Sequence, residues 1–335
     1  MMNMERKKIR LQFADFNPAF DREHNDFIRF LRERYEVELT DHPDYVIYSV
    51  FGYQHLDYDC IRIFYTGECY TPNFNECDYA IGFDRLELGD RYIRVPNYEF
   101  TIYQANYRKI LERKPFTQAD LNRKTSFCSF VVSNLFGQKE RSEFFDLLST
   151  YKKVDSGGRF RNNIGGAVKD KETFAASHKF AITFENSCYA GYTTEKIVDA
   201  FAAYTIPIYF GDPEVGRDFN EKAFISCRNY GSFEEVVKRV EEIDQNDDLY
   251  LQMINENPLL HHDDLDAFRN FLIHIFDQDY EKAFRRPHSM YTEAEAKEKL
   301  RHRFFEQNIY KYYKKGKNQI ERMKTGTIMT SRRKK

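Results

Sequence analysis

Tryptophan is absent from this chain of 335 residues, although 31 Phe and 24 Tyr are present. Most of those rings are read as core, and any at the surface are suited to stacking on sugars or nucleobases. The six cysteines, Cys60, Cys69, Cys77, Cys128, Cys188 and Cys227, form no C-x-x-C pair and show no regular spacing. They are read as free thiols of a reducing compartment, with Cys188 a small buried hydrophobe. Long apolar runs are lacking too. Residues 1–11 carry Glu5, Arg6, Lys7, Lys8 and Arg10 with no apolar stretch, and nothing elsewhere approaches a membrane-spanning run. Neither an export signal nor a transmembrane helix is therefore expected, and the expected location is cytoplasmic. A broadly basic body is also missing. Net charge is −2, but residues 296–335 hold fourteen Lys and Arg against three Glu, a balance of +11 that leaves −13 for the rest. This excludes a nucleic-acid-binding body and leaves a basic tail to explain.

What is present reads as two series of alternating strands and helices. In the first, Ile9–Phe13, Tyr45–Val50, Ile61–Tyr65, Tyr79–Phe83 and Tyr92–Val95 are β-branched or aromatic runs, and Asp26–Tyr35 carries Phe27, Phe30 and Leu31 at helical spacing. A polar stretch over 109–124, containing Pro115, reads as a linker. The second series places strands at Phe127–Val132, Phe180–Phe184, Ile206–Phe210 and Ala223–Ser226. Its helices fall at Lys139–Tyr151, Thr194–Tyr204, Phe233–Ile243 and Leu265–Phe276. Alternation of this kind predicts layered α/β domains. No internal repeat is visible at a fixed period.

The chemistry concentrates in Phe180–Pro213, FAITFENSCYAGYTTEKIVDAFAAYTIPIYFGDP. An apolar strand delivers the loop Glu185–Thr193 at its C-terminal end, where open α/β sheets place their ligands. Ala190-Gly191 permits close backbone approach, and Thr193 or Thr194 is placed to cap a helix with the apolar stripe Ile197, Ala200, Phe201, Tyr204. Such a helix start suits a phosphate. Lys196, in the first turn, has the wrong charge for that position unless it faces an anion. An ordinary solvated turn is the alternative.

This stretch resembles the donor-binding signature of the α1,3/4-fucosyltransferases, glycosyltransferase family ten. The resemblance continues in FYTGE…PNFNECDYAIGFD (Phe64–Asp84), DRYIRVP (Asp90–Pro96), FCSFVVSN…ER…FFDLLSTYKKVDSGG (Phe127–Gly158) and RNNIGG (Arg161–Gly166), all similar to the family's bacterial branch. It implies a GT-B fold, two Rossmann-like domains facing a cleft. Residues 1–115 would form the acceptor side with the general base, 125–295 the GDP-fucose-binding domain, and 296–335 a basic tail able to reach an anionic membrane.

The resemblance also implies roles. Arg141 and Lys196 match the cations that pair with the donor diphosphate, and Asn186, Tyr192 and Glu195 match residues that hold its phosphate, ribose or fucose. Arg141 alone would read as a surface arginine of a helix, yet a guanidinium can grip phosphate bidentately. Glu68, just after the strand Ile61–Tyr65, matches the proposed general base; read alone it is a polar turn residue. A carboxylate there suits inversion, in which the acceptor hydroxyl loses its proton while attacking opposite the departing GDP. With two cations at the leaving group, no metal is needed. Asp57-Tyr58-Asp59 and His261-His262-Asp263-Asp264 are read as solvated loops rather than metal sites. Golgi members carry a membrane anchor and paired cysteines, and bacterial members often carry heptad repeats; none is seen here. The expected activity is inverting transfer of fucose to the 3-hydroxyl of N-acetylglucosamine in N-acetyllactosamine-type glycans, as in Lewis x synthesis. The alternatives are α1,4 linkage, another surface-polysaccharide acceptor, or a non-catalytic glycan-binding relative.

Overall fold

The strands sort into two all-parallel sheets, each buried on both faces as parallel sheets require. In the computed structural model, which describes residues 6–132, 139–261, 265–306 and 308, the first sheet holds β1 (Lys8–Ala14), β2 (Glu36–Leu39), β3 (Tyr45–Tyr48), β4 (Ile61–Tyr65), β5 (Tyr79–Gly82) and β6 (Tyr92–Arg94) in the order β2-β1-β3-β4-β5-β6. The second holds β7 (Ser126–Phe130), β8 (Val154–Ser156), β9 (His178–Phe184), β10 (Ile206–Phe210) and β11 (Ile225–Ser226) in the order β11-β10-β9-β7-β8. Numbered within its own series, the second order is 5-4-3-1-2, the first five strands of the first sheet read backwards. Each sheet therefore reverses direction beside its first strand, between β1 and β3 and between β7 and β9. Ligands of open α/β sheets bind in the crevice at such a reversal, beyond the carboxyl ends of the strands.

Of the first helices, α1 (Asp26–Arg34) packs on the first sheet, while α2 (Thr101–Leu111) and the short α3 (Gln118–Leu121) pack on the second lobe, Leu121 entering its core. The second lobe also holds α4 (Lys139–Tyr151), α5 (Lys171–Ala176), α6 (Glu195–Ala202), α7 (Phe233–Asp244) and α8 (Asp247–Ile254). The C-terminal segment adds α9 (Asp266–Asp277), α10 (Tyr280–Ala283) and α11 (Met290–Phe305). Helix α1 starts where the Asn25 side chain accepts the Ile28 amide, and its apolar stripe enters the first core. Phe144, Phe184 and Phe233 anchor the second core, Phe144 being 5.0 Å from Phe184 and 5.2 Å from Phe233, ring centre to ring centre.

Three boundaries differ from expectation. The segment 109–124 is not a free linker: Tyr107 and Ile110 of α2 pack on Ile197, Val198 and Phe201 of α6, and Phe116 joins the second core. The second domain does not run to residue 295. Phe268, Phe271, Leu272, Ile275 and Phe276 of α9 return to the first core, because their apolar face meets Phe27 and Phe30 of α1 rather than the second sheet. The expected tail also begins inside a helix, since α11 spans the boundary at 296 and docks on the first lobe. There Arg303 pairs bidentately with Asp57, and Lys299 pairs with Glu76. Strand β2 was invisible in the sequence because Glu36-Val37-Glu38-Leu39 is a charged, half-exposed edge.

A buried ion pair fastens the returning segment. Arg286 pairs with Asp78, both almost fully buried, and donates to the Cys60 carbonyl at 2.8 Å. Asp78 also accepts the amides of Arg62, Arg285 and Arg286. Arg286→Ala would strand this carboxylate in the core, so we expect a loss of about 3–5 kcal/mol in urea unfolding. Asp57→Asn, at a half-exposed pair, should cost about 1 kcal/mol or less in the same measurement.

Candidate active site

Strand β9 ends at Phe184 and hands Glu185 to the space beneath the start of α6. Thr194 has the extended backbone of a helix cap, but its hydroxyl does not cap the helix. Instead, the Thr194 amide donates to Glu185 Oε1 at 2.8 Å and its hydroxyl to Oε2 at 2.8 Å. Lys196 Nζ donates to the same Oε2 at 2.7 Å and to Thr194 Oγ1 at 2.8 Å. The helix start is thus neutralised from within by a buried carboxylate, and this explains why a lysine is tolerated there. Burial alone would pull the Lys196 ammonium down, but Glu185 and Glu195 outweigh it and hold the group above its ordinary value.

Arg141 lies over this arrangement. It is 2% exposed on α4, not a surface arginine. Its Nη2 donates to the Glu185 carbonyl at 3.2 Å and to Asn186 Oδ1 at 2.8 Å. Its Nε and Nη1 have no hydrogen-bond partner among the described residues. Burial lowers its pKa, with Glu185 opposing, yet a guanidinium stays charged at neutral pH. Lys196 is thus balanced by Glu185 and Glu195, whereas Arg141 hydrogen-bonds only neutral oxygens among the described residues, so its guanidinium can still take an anion. Residues 133–138, including Ser133 and Asn134, lie outside the described residues.

Two cavities open at the two sheet reversals. A cavity of about 280 Å³ lies over β7 and β9 and is lined by Asn186, Glu195, Lys196 and Asp199 among others. Asp199, which the sequence did not single out, is raised to about 6 by burial, against a hydrogen bond from Asn106, with Glu195 adding to the rise. A cavity of about 1050 Å³ lies over β1, β3 and β4 and takes Glu68, Tyr65, Asn97 and Tyr103 into its wall. Glu68 is exposed, and its amide is fixed by Thr66 Oγ1 at 2.9 Å. Tyr103 connects the two cavities: it lines the larger one, while Glu195, Asp199 and Lys196 of the smaller one act on its hydroxyl electrostatically.

The structure brings Arg141, Asn186, Glu195 and Lys196 together on one lobe and sets Glu68 on the other. Tyr192 lines neither cavity. It is buried at the junction with its ring 5.0 Å from Phe83, within electrostatic reach of Glu185, Glu68 and Glu195. Gly191 does allow close backbone approach, but to the other lobe: at φ +85°, a Cβ there would meet the Phe83 carbonyl at 2.6 Å. Beside it, Asp218 of the second lobe accepts from Arg94 at 2.7 and 3.1 Å and from Arg85 at 2.8 Å, both of the first lobe. Cys188 is part-buried rather than fully buried. Asp57 is occupied by Arg303, His262 to Asp264 lie outside the described residues, and no metal-holding cluster exists among those described. Sequence reasoning missed Glu185 and Asp212. Asp212 accepts the amides of Gly191 and Glu214 and shapes the same loop. An acid directly after an apolar strand was the available signal for Glu185.

Two Rossmann-like lobes, each with its crevice facing the other across this junction, define the GT-B glycosyltransferase fold. Residues 11–103 match the family model for the α-(1,3)-fucosyltransferase FucT N-terminal domain, and residues 121–256 match that for the glycosyltransferase family 10 (fucosyltransferase) C-terminal region. The chain is 36% identical over 264 residues to α-(1,3)-fucosyltransferase FucT of Helicobacter pylori, covering 68% of this chain and 55% of that protein. It is 27% identical over 190 residues to 4-galactosyl-N-acetylglucosaminide 3-α-L-fucosyltransferase 9 of Homo sapiens, covering 56% and 49% of the two chains. A crystal structure of α1,3-fucosyltransferase aligns at TM-score 0.70 and 28% identity, over 86% of this chain and 95% of that one. A crystal structure of α1,3-fucosyltransferase with GDP-fucose aligns at TM-score 0.65 and 29% identity, over 84% and 94%. The protein belongs to glycosyltransferase family 10. It spans about half the length, or less, of the curated relatives it matches.

Gly191→Ala tests the junction. The added methyl must displace the Phe83 backbone while the residue holds a left-handed φ, so we expect a loss of about 1–3 kcal/mol or more. An unchanged denaturant midpoint would show that the lobes are not held this closely.

Proposed function

We propose that the protein transfers fucose from GDP-fucose, with inversion, to the 3-hydroxyl of N-acetylglucosamine in N-acetyllactosamine-type glycans. The observation that carries this reading is the buried edge of Arg141, unpaired among the described residues, beside Lys196; together they suit two phosphate groups. Its placement at the second-lobe crevice matches where a nucleotide-sugar would lie. As the bond from fucose to GDP breaks, negative charge grows on the diphosphate, and fixed cations stabilise it most where water is excluded. Lys196 retains one N–H beyond those given to Glu185 and Thr194, and Asn186 fixes the tilt of the guanidinium. Glu195 stands at the same crevice, where its carboxylate suits sugar hydroxyls or the positive charge developing at the anomeric carbon.

The acceptor sits in the opposite crevice, in the cavity that Glu68 lines. Attack from that lobe and departure toward the other give inversion at the anomeric carbon. Glu68 takes the hydroxyl proton as the new bond forms. The positive charge comes from side chains, so the reaction as proposed requires no metal ion. Among the described residues no helix is long and apolar enough to cross a membrane. The basic segment 311–335 lies outside the described residues, and its reading as a contact for anionic lipid rests on composition.

Arg141→Ala should weaken GDP binding by roughly 1.5–3 kcal/mol in calorimetry, with Arg141→Lys recovering only part of the loss because it cannot bind bidentately. Equal affinity for GDP in wild type and Arg141→Ala would remove the phosphate assignment. Glu68→Gln should keep GDP affinity and lose about 10²–10⁴-fold in turnover on N-acetyllactosamine, measured with EDTA present and with NMR identifying the linkage. A near-normal rate in this variant would mean that another group takes the proton.

A further inference from the structure

The cavity that Glu68 lines does not end at β3. A second chamber of about 550 Å³ continues along the carboxyl ends of β3 and β1, sharing Phe16, Asn17, Phe20 and Phe51 with the first. Its far side is closed by Arg303 and Glu306 at the end of α11, and Arg22, Tyr53 and Gln54 complete the wall. The crevice of the first lobe is therefore a trough, running from Glu68 across the sheet reversal to the C-terminal helix.

The trough changes character along its length. Between the two chambers lies an aromatic surface: Phe16 and Phe20 are stacked 4.0 Å apart, and Phe51 is 51% exposed. Together the three rings give the trough an apolar stretch, and the flat C–H faces of pyranose rings fit such rings. Beyond it the lining is polar and fixed. Asp15 holds a left-handed φ of 58°, and its carboxylate accepts the amides of Gln54 at 2.8 Å and His55 at 3.0 Å. His55 Nδ1 sits 2.6 Å from the same carboxylate. Arg303 is held by Asp57 and the Tyr53 carbonyl. Arg22 is exposed. Two arginines and two acids line the chamber, so its charge is balanced, and hydrogen-bonding groups of both kinds are available. That suits a neutral polyhydroxylated ligand rather than a phosphate or a nucleic acid.

We infer that this chamber is a distal acceptor subsite and that the enzyme takes a neutral oligosaccharide longer than a disaccharide. On this reading, which rests on the proposed fucosyl transfer, the reacting N-acetylglucosamine lies at Glu68. The next sugars cross Phe51, and a further unit hydrogen-bonds with Arg22 and Gln54 under α11.

The test compares N-acetyllactosamine with its tetrasaccharide repeat as acceptors for wild type, Gln54→Trp and Arg22→Ala. Gln54→Trp fills the chamber; Arg22→Ala is an exposed change that leaves folding intact. Wild type should show kcat/KM about tenfold higher on the tetrasaccharide, the scale of one or two net hydrogen bonds. Both variants should lower that value toward the disaccharide's while leaving the disaccharide rate within about twofold. Equal wild-type kcat/KM for the two acceptors would overturn the subsite, as would parallel losses on both in the variants. Absence of any disaccharide turnover in wild type would instead defeat the transferase reading. Calorimetry with the GDP-loaded protein then decides the subsite by itself: tighter tetrasaccharide binding that Gln54→Trp abolishes supports it, and equal binding of the two oligosaccharides overturns it.

Discussion

The candidate donor site is organised around one buried carboxylate. Glu185 takes the amide and hydroxyl of Thr194, pairs with Lys196, and offers its own carbonyl to Arg141. Without it, the first turn of α6 would carry a cation against the positive end of the helix, and nothing would fix the height of the ammonium. With it, Lys196 is held by an ion pair while Arg141 is held through neutral oxygens, its Nε and Nη1 unpaired among the described residues. A buried guanidinium paired only in part favours an anion beside it. Glu185 is a positioning residue: it sets Lys196 and Arg141 while lying beneath them.

The two lobes repeat a topology that their sequences do not repeat. Each places its first strand at the sheet reversal and leaves a crevice at the carboxyl ends of the strands. The junction then decides whether these crevices can act on the same pair of reactants. Asp218 binds Arg85 and Arg94 across the lobes, and Gly191 lets the donor loop rest on the Phe83 backbone. A charge-assisted cluster and a glycine contact of this kind fix the separation better than apolar packing alone, because both fail when the lobes shift by an ångström.

The C-terminal helices change what the first lobe can bind. Helix α9 completes its core, Arg286 and Asp78 clamp the segment that follows, and α11 closes the far end of the trough. A chain end that looked like an appended basic tail instead supplies Arg303 and Glu306 to the wall of the candidate acceptor site.

The sequence by itself determined the local periodicities. Ile61–Tyr65, Lys139–Tyr151 and Ile206–Phe210 were legible to the residue, because apolar alternation and a 3.6-residue stripe are properties of neighbouring residues. The motif FENS…TTEK marked the donor loop, and the family it points to follows from ordered blocks along the chain. Only the tertiary structure decided how these pieces combine. Glu185 and Thr194 are nine residues apart in a loop, and their pairing depends on the turn between them. Helix α9 has the same amphipathic pattern whichever core it enters, so its lobe is chosen by the complementary face of α1, far away in sequence. Tyr192 matched a ligand-binding position, yet here it is buried against Phe83. Burial at an interface depends on what the partner lobe presents, and no stretch of local sequence contains that information.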